Sequence, residues 1–272
     1  MTVYLGTLGR MIPIYSTPSA QLDIEERYSF STTLEGRRKV QARPIGRRTW
    51  GLNAQFADPS EHSLISQFAN GAWGPGPFVF VSADAPVTNL LSPSAAACLE
   101  LTSHVGIGPG GPVDLGPEGW EGSSIAANYP DTTSPEIFFG LGFVPVLHGV
   151  PVTGSAYIQG TEARVNLYWY AADLSPLGAT PSQNVSSPAG MTRVSVTALP
   201  PTGAACCRVV AFHATKATRP ALTWTDRAFP WASGEGCPKA VLHGASKNLV
   251  MASRDFHGGR YANVSYTITE VG

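Results

Sequence analysis

The clearest strand signal in the chain runs over residues 162–171, EARVNLYWYA, and alternation sorts it into two sets. Period-2 alternation puts Val165, Leu167, Trp169 and Ala171 on one side, and Arg164, Asn166, Tyr168 and Tyr170 on the other. The first set reads as core. The second joins planar rings, which give stacking platforms, to an amide and a guanidinium, which give hydrogen bonds. Ligands with apolar ring faces and many hydroxyls, as sugars have, need that mixture. The plainer reading of the same four residues is a packed sheet face or a contact with a neighbouring domain.

Catalytic chemistry finds less support. Asp131, Glu136, Glu162, Asp173 and Asp226 supply carboxylates for a glycosidase pair, which needs a separation of about 5–9 Å, but nothing in the sequence brings two of them together. No G-x-S-x-G nucleophile elbow occurs. Gly106-Ile107-Gly108-Pro109-Gly110-Gly111 has the look of a dinucleotide loop, yet no strand–helix pair flanks it and Pro109 interrupts it, so it reads as a structural turn. His62, His104, His148, His213, His243 and His257 are scattered without metal-ligand spacing. Cys98, Cys206, Cys207 and Cys237 form no C-x-x-C pair, and adjacent Cys206 and Cys207 would face opposite sides of a strand, so the cysteines read as buried free thiols. The expectation is a protein that is not an enzyme and carries no cofactor.

A third chemical cluster is cationic: Arg37, Arg38, Lys39, Arg43, Arg47 and Arg48. A solvated face or a subunit interface is the simpler reading, with Arg pairing to carboxylates such as Glu25 and Glu26. Contact with DNA phosphates is the sharper alternative.

These residues must be positioned by strands. Leu34-Glu35-Gly36-Arg37 reads as a hairpin turn, and 49–56 as a half-buried strand with Trp50, Leu52, Ala54 and Phe56 inward. Asp58, Pro59 and Glu61 give a capping-box spacing for a helix over 59–70 that buries Leu64, Ile65 and Phe68 and stops at Gly71. Gly74-Pro75-Gly76-Pro77 leads into a strand at 78–81, and the Gly/Pro-dense stretch 106–131 reads as irregular connections. Further strands are expected at 155–160, 193–197, 207–213 and 263–271, with 240–243 and 248–252 as a pair. Frequent turns between short strands suggest a sandwich or jelly roll.

The totals agree. Among 272 residues there are 29 Gly and 23 Pro, charged residues make 14% and hydrophobic ones 43%. The charged share sits well below the roughly 25% of ordinary domains. A net charge of -1 offers no field for nucleic acid or an anionic membrane. No apolar run spans a membrane, and the N-terminus lacks the pattern of a signal peptide, so synthesis in the cytoplasm without processing is expected.

Two resemblances follow. The strand 50–56, the helix end 67–71, the turn and strand 74–80 and the closing segment 262–272 resemble distal tail and minor tail proteins of siphophages, especially those infecting actinobacteria. Residues 89–227 resemble the jelly rolls of carbohydrate-binding modules, through Asn89-Leu90-Leu91-Ser92-Pro93 and the runs 152–160, 163–173 and 191–204. The turn at 146–150 departs from the usual Pro-Gly pair, and Thr202 stands where Ala is common. The resemblances imply a mainly β chain: a tail-tube-type β-barrel or sandwich with one short helix, interrupted by a β-sandwich of jelly-roll type. Residues 1–88 with 228–272 would form the discontinuous tail-protein domain, and 89–227 the insert. The closing strand needs a sheet to join, which favours that arrangement; the alternative is that 228–272 continues the second sandwich.

The implied function is that of a virion structural protein of the phage tail tip, a hexameric distal-tail ring joining tail tube to tip or baseplate. Its partners would be further copies, the tail tube protein, the tip or baseplate hub and the tape measure protein. The jelly roll would contact host cell-wall glycan through Arg164, Asn166, Tyr168 and Tyr170, and Arg37, Arg38, Lys39, Arg47 and Arg48 would line the ring interface. Neither a membrane nor a specific nucleic acid is an expected partner. Modules of this kind often hold one structural calcium, and the chain shows no oxygen-ligand run of the EF-hand kind. The alternative is a stand-alone carbohydrate-binding protein or an accessory module of a polysaccharide-active enzyme, which the missing signal peptide disfavours.

Overall fold

The structure, a computed structural model, describes residues 2–15, 19–25, 28–42, 47–100, 107–113, 115, 122–127, 136–252 and 260–271. The chain is mainly β. Its elements begin with β1 (Val3–Thr7), β2 (Arg10–Ile14), β3 (Ser19–Ile24), β4 (Tyr28–Thr32), β5 (Arg38–Ala42), β6 (Arg48–Ala57), α1 (Pro59–Ala69) and β7 (Phe78–Val81). Next come α2 (Pro93–Ala96), β8 (Ile107–Val113), β9 (Gly122–Ala127), β10 (Glu136–Phe138), β11 (Val144–Pro145) and β12 (Val152–Tyr170). The series closes with β13 (Pro176–Pro181), β14 (Val185–Ala198), β15 (Cys206–Phe212), β16 (Lys216–Thr223), β17 (Cys237–Ala252) and β18 (Arg260–Glu270). Among the described residues no helix is long and apolar enough to cross a membrane. Two compact units form, one from Met1–Val3, Pro13–Phe78 and Lys239–Gly272, the other from Tyr4–Ile12 and Val79–Pro238.

In the first unit β18 lies antiparallel between β17 and β6, and β3 pairs with the other edge of β6. Alternation works as the sequence requires: Trp50, Leu52 and Ala54 on β6 and Val264, Tyr266 and Ile268 on β18 are buried. The pairing Leu52↔Tyr266 and Trp50↔Ile268 puts them side by side. Phe56, expected inward, is 60% exposed. A bulge explains this. Ala54 pairs with Val264 but Ala57 with Ala262, so β6 carries one extra residue, Phe56 turns to φ 54°, and Ala57 takes the buried place. A second bulge, at Gly244 with φ 63°, joins the segments 240–243 and 248–252 into one strand; both pair with β18 and not with each other.

α1 begins where the sequence places it. The Asp58 carboxylate accepts from the Glu61 amide at 2.9 Å, and Pro59 occupies the first turn. The Glu61 Oε1 accepts from the Tyr15 amide at 2.7 Å. Ile65 and Phe68 are buried, while Leu64 is half-buried. Gly71, at φ 75°, ends the helix.

The second unit is organised by β12. Its first half, 152–159, runs between β14 and β16; its second half, 164–170, runs between β13 and β15. One strand therefore serves two facing sheets by turning a corner at 160–163, a known use of bulges. Gly160 is required there, because a Cβ would stand 2.6 Å from the His213 carbonyl oxygen. The halves pack on each other: a Cβ on Gly154 would meet Leu167 at 2.8 Å. Val152, Ala156, Ile158, Val165, Leu167 and Trp169 join one core with Val209, Ala211 and Leu222. The Gly/Pro-dense stretch, read as irregular, holds the hairpin β8–β9, with a register shift between Pro109 and Gly111; residues 101–106 lie outside those described.

Fully buried Asn89 ties the unit together. Its Nδ2 donates to the carbonyls of Pro220 (3.1 Å) and Ala232 (3.0 Å), and its Oδ1 accepts from the amides of Leu91 (3.2 Å) and Leu222 (3.1 Å). The four cysteines are buried free thiols, and burial pushes Cys98 and Cys206 up to about 11.

Candidate functional site

The second half of β12 presents Arg164, Asn166, Tyr168 and Tyr170 on the side away from the core, as its alternation requires. The register then supplies their neighbours. Arg164 faces Phe212, Asn166 faces Val210 and Tyr168 faces Arg208 on β15; β10 adds Glu136 opposite Phe212 and Phe138 opposite Val210. Phe143, between β10 and β11, sets its ring edge-on to Tyr170, with centroids 4.9 Å apart.

Two guanidiniums lie against these rings. Arg164 sits 4.3 Å from the Phe212 centroid and donates to Asn184 Oδ1 at 3.3 Å. Arg208 sits 4.4 Å from the Phe138 centroid and 5.3 Å from that of Phe143, and donates to the Gly140 carbonyl. The Tyr168 hydroxyl donates to the Glu136 carboxylate. Burial, reinforced by that hydrogen bond, pushes the Tyr168 phenol up to about 12. Burial also raises Tyr170, against the pull of Arg208, and lowers Arg208.

Of the four residues singled out in the sequence, three are half-buried on this face. Asn166 is not on its surface: it is 4% exposed, and its Oδ1 has no hydrogen-bond partner. Phe138, Phe143, Arg208 and Phe212 complete the face. Only Arg208 and Phe212 carried a sequence signal, as alternate residues of one strand; that this strand lies beside β12 is a matter of topology.

The carboxylates considered for catalysis do not all gather here. Glu136 is on the face, Glu162, Asp173 and Asp226 are exposed, and Asp131 lies outside the described residues. His104 and His257 also lie outside them. Among the described residues no group of three or more His, Cys, Asp or Glu is placed to hold a metal ion.

A second surface lies in the first unit. β4 and β5 pair as a two-stranded sheet, closed by a turn in which Gly36 adopts φ 78°. Every residue of β4 is exposed, and Phe30 and Val40, a cross-strand pair, are 60% and 55% exposed. Arg37, Arg38 and Lys39 sit at the turn end, with Arg38 5.8 Å from the Phe30 centroid. Arg47 is exposed. Arg48 belongs to the interior: it is 6% exposed, holds Glu270 in a two-pronged ion pair (2.9 and 2.8 Å) and covers Trp50. Its place in the cationic cluster of the sequence gave no hint of this. Arg43 and Glu26 lie outside the described residues.

No protein family matches the chain, and no curated protein does. Similar solved structures include the enzymatically active domain of tailspike protein 4 of bacteriophage CBA120, at TM-score 0.40 and 10% identity, over 53% of this chain and 22% of that one. They also include the VP2 subviral particle of infectious bursal disease virus, at TM-score 0.23 and 9% identity, over 98% and 67%. The chain thus spans about a fifth of the tailspike domain's length. Scores of this size do not establish a shared fold.

Proposed function

We propose that the chain is a structural subunit of a phage tail tip, assembling as a homo-oligomeric ring of six that joins tail tube to tip, with the second unit presenting a glycan-contacting face. No reaction is assigned to it. The reading rests on the resemblances in the sequence, and one structural observation carries it furthest: the hairpin β4–β5. A two-stranded hairpin alone is marginal in water. This one leaves Tyr28, Phe30, Leu34 and Val40 exposed beside three cations. Such an arm suits a protein–protein contact, with aromatic and Arg side chains at its centre. A second copy is the partner a closed ring supplies, and the ring's other contacts would be with tube, hub and tape measure proteins.

The buried thiols make the test clean, because a cysteine placed at Leu34 is the accessible one among the described positions. Leu34→Cys carrying a photo-crosslinker is expected to capture a second copy of the chain through the hairpin. Irradiation that yields only uncrosslinked chain at ring-forming concentrations would contradict the reading. The stand-alone carbohydrate-binding protein keeps support from the face around Tyr168, but it gives the hairpin no role.

A further inference from the structure

We infer that the face built by β10, β12 and β15 takes an acidic glycan, a polymer bearing repeated carboxylates or phosphodiesters, and not a neutral one. The inference rests on the glycan reading above and narrows its ligand.

The rings decide against a neutral sugar. Stacking on a neutral pyranose needs an open aromatic face. Here guanidiniums lie over Phe212, Phe138 and Phe143, Tyr170 meets Phe143 edge-on, and Tyr168 packs against Phe138 at a 38° tilt, with centroids 6.0 Å apart. What the face offers is guanidinium seated over an aromatic base.

Among the described residues neither cation has a carboxylate partner on this face. Arg164 donates to an amide oxygen, Arg208 donates to a backbone carbonyl and hydrogen-bonds the Tyr170 hydroxyl, and the carboxylate on the face, Glu136, accepts from Tyr168. Arg164 Nε is buried with no hydrogen-bond partner. Each guanidinium has five N–H donors in a planar fork that matches carboxylate and phosphate oxygens. Contact with the rings restricts each guanidinium and so lowers the ordering cost when an oxyanion arrives. Burial already disfavours the charge of Arg208, and an anion beside it would offset that.

The spacing speaks for a polymer. Arg208 pairs with Tyr168, four residues along β12 from Arg164. That is about 13 Å between the backbone positions, a spacing suited to charges repeated along a chain.

The full chain would be titrated by calorimetry with polygalacturonate, with its carboxyl-reduced neutral form, and with poly(glycerol phosphate), at low and high salt. Binding of one or both acidic polymers, weakened by salt, without binding of the neutral form, is the result expected; which acidic polymer binds separates carboxylate from phosphate. Arg208→Gln and Arg164→Gln are each expected to cost about tenfold in affinity, the worth of a charge-assisted hydrogen bond. Arg227→Gln, an exposed arginine over Phe229, should leave affinity unchanged. Should Arg208→Gln unfold, Arg164→Gln and the paired polymers still decide. Equal binding of neutral and acidic polymers would overturn the inference and leave the glycan reading standing; binding of none would overturn both.

Discussion

Asn89 shows how much one side chain can hold. It is fully buried, and its amide satisfies four backbone groups drawn from three stretches of the second unit. Leaving buried partners unsatisfied is costly, so Asn89→Ala is expected to lose about 3 kcal/mol in urea unfolding. Tyr168 makes a pH-dependent contribution. Its phenol holds its proton more tightly folded, at about 12, than the ordinary value of 10.0. That stability is complete below about pH 10 and is lost as pH rises through about 12. Unfolding free energy is expected to fall over this window less steeply in Tyr168→Phe than in the parent; equal slopes would contradict the assignment. At this scale the sequence was legible in part. Alternation separated Trp169 from Tyr168 correctly, but it could not tell that Asn166 sinks beneath its neighbours or that Arg48 turns inward to Glu270, because each depends on a strand far away in sequence.

Elements were more legible than side chains, since their signals are local. The Asp58 cap, Pro59 and Gly71 bounded α1, and the turn at Gly36 closed β4–β5. What escaped were the bulges. One extra residue in β6 moves Phe56 from core to solvent, and no residue type at 54–57 announces it. The corner of β12 was read as a gap between two strands, yet it is one strand crossing between sheets. Gly160→Ala would press a methyl to 2.6 Å from the His213 carbonyl oxygen, and a loss of about 1–3 kcal/mol by thermal unfolding is expected. A stability equal to the parent's would mean the corner can relax. The Gly/Pro-dense stretch misled for a related reason: Pro109 and Pro112 lie in β8, paired with β9, where turn-forming composition would place no strand.

At the scale of the molecule, the low charge and many turns become intelligible together. Eighteen strands among the described residues need frequent turns, and the assembly proposed above would leave less surface for charges to solvate. The antiparallel pairing of β18 with β6 joins the end of the described chain to its first quarter, a link with no local signature beyond a closing strand in need of a sheet. Assembly through β4–β5 is tested most directly by sedimentation equilibrium of the full chain over a wide concentration range. A closed species of six times 28.7 kDa is expected, lost in Phe30→Ser/Val40→Ser with the fold unchanged by circular dichroism. A chain that stays at 28.7 kDa at every concentration would contradict it, as would a ring indifferent to both substitutions.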